Sequence, residues 1–121
     1  MTYIGLISGT SMDGIDAVLV DLSGEPPQLV AAETFQYPAA LRDALDELRA
    51  DPDAFPAARL ARLDAEVGHA FAEAANGVLA KAGIPAPRVR AIGSHGQTVL
   101  HRPDDTFPHT LQIGDPTRIT A

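Results

Sequence analysis

The segment Ser8-Gly-Thr-Ser-Met-Asp-Gly-Ile-Asp16 gathers glycines, small hydroxyls and carboxylates into one short stretch. Glycine lets backbone N–H groups come close to an anion. Ser8, Thr10 and Ser11 can donate to phosphate oxygens, and Asp13 and Asp16 can hold a magnesium ion directly or through water. These are the parts needed to hold a nucleoside triphosphate and its metal. The same composition also suits a plain polar hairpin loop. It is not a Walker loop, because G-x-x-x-x-G-K-[ST] is missing and no lysine lies near it. It is not G-x-G-x-x-G, and it does not lead into a helical pattern. Ser11 is a poor hydrolase nucleophile, since a G-x-S-x-G elbow would need glycine where Asp13 stands.

A second stretch, Gly93-Ser-His-Gly-Gln-Thr98, offers His95 as an acid, a base or a donor to a sugar hydroxyl. Gln97 could bond a hydroxyl or an amide. Polar groups at the carboxyl end of a buried strand often line a site in α/β folds. A satisfied turn, with His95 bonded to backbone, is the competing reading. A third stretch is Gln112-Ile-Gly-Asp115, followed by Pro116. Asp115 reads first as a helix N-cap with proline at the first helical position; it could also face a ligand. His101, Asp104, Asp105 and His109 show no recognised metal-ligand spacing and read as a solvated loop.

The elements that must position these residues follow from periodicity. Tyr3–Ser8 and Ile15–Leu22 read as strands. Both sides of the second are apolar, which predicts cover on both faces. Ser23–Pro27 is a turn, and Leu29–Tyr37 can form a third strand, giving an antiparallel meander. Leu41, Leu45 and Leu48 recur at helical spacing over about 39–50, and Pro52 and Pro56 break that helix. Leu60, Leu63, Val67, Phe71, Ala74, Val78 and Leu79 trace a longer helix over 57–82, stopped by Gly83 and Pro85 with Lys81 at its negative end. Residues 90–94 read as a buried strand, Val99 and Leu100 as the start of another extended piece, and Thr110–Gly114 as a last one. The fold class is α/β: a mixed sheet opened by a three-strand antiparallel meander, with flanking helices.

The chain has 121 residues, enough for one domain, and 45% are hydrophobic, so a packed core is feasible. With no Trp and few aromatic residues, aliphatic side chains and alanine must fill it. Sixteen acidic residues against nine basic ones give a net charge of −7, a field that opposes non-specific nucleic-acid binding. No cysteine is present, which excludes disulfides, zinc-thiolate sites and thiol catalysis. No run is long enough to span a bilayer, and residues 1–20 lack a basic leader, so a cytoplasmic protein with no membrane partner is expected. A freshly capped helix normally continues for several turns, so the stop at Ala121 predicts a piece of something longer.

Together, Ile4–Ala17, Gly93–Thr98 and Leu111–Pro116 closely resemble the anhydro-N-acetylmuramic acid kinase family, in order and in separation. The resemblance covers essentially the whole chain. It implies an actin-like, ribonuclease H-like sugar-kinase and ATPase fold with two α/β lobes and an ATP cleft between them. This chain would be the N-terminal part, with the second lobe absent. The implied reaction consumes ATP, water and 1,6-anhydro-N-acetylmuramic acid and yields ADP and N-acetylmuramic acid 6-phosphate, a step of cell-wall recycling. Carried over by position, Gly9, Thr10, Ser11, Met12, Asp13, Gly14, Ile15 and Asp16 form the ATP-phosphate loop, with Asp13 near magnesium, through water. His95, Gly96 and Gln97 match the sugar-lining segment, and Asp115 a motif at the same cleft. The family's water-activating carboxylate comes from a D-x-G-P-x-N-type segment that this sequence lacks, so the base is expected beyond Ala121. A homodimer of the full-length protein stays open. So do two other readings, an inactive nucleotide-binding lobe and an actin-like regulatory ATPase. An acyl- or carbamoyltransferase of the same superfamily ranks low, because His95 and His101 do not form an H-x-x-x-H pair.

Overall fold

A computed structural model describes residues 1–9 and 12–120. Strands β1 (Thr2–Ser8), β2 (Ile15–Asp21) and β3 (Gln28–Phe35) form the expected antiparallel meander. Two helices follow, α1 (Ala39–Ala50) and α2 (Ala57–Ala82), then β4 (Val89–Arg102), β5 (His109–Ile113) and a short α3 (Pro116–Thr120). The strand order is β3-β2-β1-β4-β5. β4 runs parallel to β1 and antiparallel to β5, so the sheet is mixed. The helical pair carries the chain from the β3 edge across to β4, as a parallel pairing requires.

Each helix forms where its apolar period lies. Leu41, Leu45 and Leu48 of α1 are buried, as are Leu63, Val67, Phe71, Ala74 and Val78 of α2. They pack on Ile4 and Leu6 of β1 and on Ile15, Ala17 and Leu19 of β2, making one core between the sheet and the helices. Phe71 and Leu45 are fully enclosed, worth about 1.5–3 kcal/mol each relative to exposure. α2 stops at Gly83, where the Ile84 N–H donates to Leu79 O at 3.1 Å. Lys81, in the last turn of α2, donates to Ala32 O of β3 at 3.0 Å.

Four expectations are corrected. β2 is covered on one face only. Asp16 is exposed and Val18 and Val20 are half-buried, because among the described residues the helices lie on the opposite face. Ile7 of β1 shares that bare face, at 44% exposure. Residues 90–94 are not a buried strand: Arg90, Ala91, Gly93 and Ser94 are exposed. β5 pairs only from Gln97 onward, so among the described residues the first half of β4 has β1 as its single neighbour in the sheet. Finally, β4 runs unbroken to Arg102 instead of turning at His95, and β3 ends at Phe35, which frees Tyr37 to turn into the core.

Candidate functional site

The link from β1 to β2 is a braced loop. The Met12 N–H donates to Gly9 O at 3.0 Å. Met12 sits in the left-handed region at φ 55°, a conformation that costs a non-glycine residue about 1–2 kcal/mol. Burial of its side chain, 2% exposed, offsets that cost. Arg42, on the first turn of α1, donates from Nη1 to Met12 O at 2.7 Å, with its Nε 3.6 Å from Asp46. Asp13 follows and is exposed, while Gly14 and Ile15 are buried where the chain enters β2. Thr10 and Ser11 lie outside the described residues. Ser8 does not point at a ligand: it is buried, and its hydroxyl donates to Gln97 Oε1.

On β4 a bulge rearranges the second stretch. Leu6 pairs with Ser94, but Ser8 pairs with Gln97, so β4 carries one residue more than β1. Gly96 absorbs it at φ 76°, and a Cβ there would lie 2.5 Å from Ile113 O, so only glycine fits. The bulge also parts the two side chains that flank it. His95 stays exposed and lines a shallow depression on the bare face with Gly5, Ile7, Asp16, Val18 and Gly93. Gln97 turns into the core and is fully buried. Its Oε1 accepts from Ser8 and from the Tyr37 hydroxyl at 3.2 Å; its Nε2 donates to Gly9 O at 3.0 Å and Thr98 O at 3.1 Å.

The third stretch docks on α2. The Gly114 N–H donates to Asp64 Oδ1 at 2.7 Å and the Asp115 N–H to Asp64 O at 3.1 Å. Gly68 permits this contact, since a Cβ there would meet Asp115 O at 2.6 Å. Asp115 caps α3 as its sequence context suggests, accepting from the Thr117 N–H at 3.0 Å and the Thr117 hydroxyl at 2.7 Å. The Thr117 hydroxyl, its N–H and the nearby Arg118 hold the Asp115 carboxyl below the usual range. Gly114 also backs onto Gly96, where a Cβ would lie 3.7 Å from Gly96 Cα. The three motifs thus meet at one end of the sheet, joined through Gln97 to the loop and through Gly96 to β5.

A sequence model of the anhydro-N-acetylmuramic acid kinase family matches residues 1–121. The chain belongs to that family. The anhydro-N-acetylmuramic acid kinase of Shewanella frigidimarina is 54% identical over 117 residues, 97% of this chain and 31% of the relative. That of Shewanella baltica is 54% identical over 119 residues, 98% of this chain and 32% of its own length. The protein of the same name from Shewanella sp. strain ANA-3 is 55% identical over 119 residues, with the same coverage. The chain therefore spans about a third of the curated relatives it matches.

Within this family member, sequence reasoning missed three residues that brace the site: Arg42, Tyr37 and Asp64. Arg42 and Asp64 look like ordinary surface charges on amphipathic helices, and nothing in their spacing marks them. Tyr37 leaves a signal in retrospect, as a phenol between a strand and a proline that starts a helix. Burial pushes the Tyr37 phenol up to about 12 from its ordinary 10.0. The folded protein therefore favours the neutral phenol. The stability this contributes is complete below pH 10 and is lost as pH rises through 12. Tyr37→Phe should lose less stability than wild type between about pH 10 and pH 12 in denaturant titrations. Equal losses would show that the phenol ionises as readily in the fold as outside it.

Proposed function

We propose that this chain is the phosphate-loop part of an actin-like, ribonuclease H-like sugar-kinase lobe, and that the intact protein is an ATP-dependent kinase of 1,6-anhydro-N-acetylmuramic acid. Water adds to the anomeric carbon, the bond from that carbon to the bridging oxygen on carbon six breaks, and this oxygen takes the γ-phosphoryl group. ADP and N-acetylmuramic acid 6-phosphate leave, a reaction suited to cytoplasmic recycling of the cell wall. The observation that carries this reading is the loop from Gly9 to Gly14, braced by Gln97 from β4 and Arg42 from α1 while Asp13 stays exposed. Phosphoryl transfer asks mainly for positioning and charge neutralisation, and a braced loop between strands supplies the first.

The backbone of Gly9–Gly14 and the side chains of Thr10 and Ser11 would hold the phosphates. Magnesium, when bound, neutralises charge on the β- and γ-phosphates. The donor set suits that ion: Asp13 presents an exposed carboxylate, and magnesium commonly binds through one or two carboxylates plus phosphates. Asp13 would hold it through water. His95, sharing its depression with Asp16, would donate to or accept from a sugar hydroxyl. The base that activates water would come from outside this chain.

The intact protein, supplied with ATP, magnesium and 1,6-anhydro-N-acetylmuramic acid in heavy-oxygen water, should form ADP and N-acetylmuramic acid 6-phosphate in equal amounts. Mass spectrometry should find the heavy oxygen at the anomeric position. ATP hydrolysis indifferent to the sugar would favour the regulatory ATPase. Nucleotide binding with no turnover would favour the inactive lobe.

A further inference from the structure

We infer that Gln97 is a positioning residue of the phosphate loop and makes no contact with the sugar, an inference that rests on the kinase reading above. A glutamine amide offers two acceptor lone pairs and two N–H donors. In this structure all four are spent: Oε1 on the hydroxyls of Ser8 and Tyr37, Nε2 on the carbonyls of Gly9 and Thr98. The side chain is fully buried, on the face of β4 away from His95. A saturated, enclosed amide has nothing left to offer a substrate. What it holds is Gly9 O, the same carbonyl that accepts the Met12 N–H. One planar group thereby ties the end of β1, the first loop residue, β4 itself and the approach to α1. A shift of about 1 Å in a positioning element can cost up to about a hundredfold in turnover. The Ser8–Gln97–Tyr37 cluster keeps Gly9 from making that shift.

The test separates the two substrates of the intact protein. Gln97→Met keeps the length of the side chain and removes all four bonds. It should raise KM for ATP about tenfold or more and leave KM for the anhydro-sugar within about twofold. Ser8→Ala removes one bond to the amide without touching Gly9 and should shift KM for ATP in the same direction by a few-fold. If Gln97→Met does not fold by circular dichroism, Ser8→Ala decides alone. A rise in KM for the sugar with KM for ATP unchanged would overturn the proposal and make Gln97 a sugar contact. Both constants unchanged in the folded variants would overturn it as well. If wild type binds a non-hydrolysable ATP analogue but turns over no anhydro-sugar, the kinase reading fails while this one survives, and analogue affinity in the same variants replaces KM. If wild type binds no nucleotide, both fail.

Discussion

Replacing Asp13 by Asn in the intact protein is expected to lower kcat by about 10²–10³-fold, the usual cost of removing one preorganised electrostatic partner of a transition state. The direction follows from where Asp13 stands. Met12 is pinned by its buried side chain and by Arg42, so the next residue is presented outward from a fixed backbone. An exposed carboxylate there can neutralise charge on a phosphate-bound metal. Asparagine keeps its size and loses its charge. Because Asp13 is exposed, the substitution should move Tm by no more than about 2 °C. Steady-state kinetics at saturating ATP, beside a thermal melt, read both quantities. Turnover equal to wild type would take Asp13 out of the site; equal loss of activity and stability would make it a structural residue.

The second large effect is on folding. Gly96→Ala places a methyl 2.5 Å from Ile113 O at a residue with φ 76°. The left-handed backbone costs about 1–2 kcal/mol once a Cβ is present, and forced overpacking about 1–3 kcal/mol more. A total of about 2–5 kcal/mol is expected, read as a fall in the denaturation midpoint with the m-value unchanged. Relief would come from pushing β5 away from β4, and that motion drags Gln97 and Gly9 with it. Nucleotide affinity should therefore fall even in the surviving folded fraction. A loss of under about 1 kcal/mol would mean that the bulge can be rebuilt without its left-handed residue.

The helices were legible in the residues themselves. Leu41, Leu45 and Leu48 repeat at the period that buries one face, and prolines and Gly83 mark where each helix must stop. The meander was legible too, since its three short apolar, β-branched runs are joined by short polar connections. The uncovered face was not. Val18 and Val20 make both sides of β2 apolar, and an apolar residue looks the same in sequence whether or not a helix lies over it. Nor could period-two counting foresee the fate of Gln97. Counting places it beside His95, two residues earlier; a single extra residue at Gly96 sends it to the other face. Ser8 failed as a phosphate donor for a related reason: its partner is 89 residues away, and pairings that distant leave no trace in local pattern.

The separation of 88 positions from Gly9 to Gln97 sets an order of events at the ribosome. The loop is made before β4, and its tie to β4 consists of residues synthesised much later. At about 5–20 residues per second, roughly 4–18 seconds of synthesis separate Gly9 from Gln97. During that interval β1, β2 and β3 can pair as a local meander, but β1 waits with one edge open for its parallel neighbour. The nascent chain thus acquires its meander before β4 emerges and the brace on its β1–β2 loop only afterwards. On the proposed kinase reading, nucleotide would begin to stabilise the fold only from that point on.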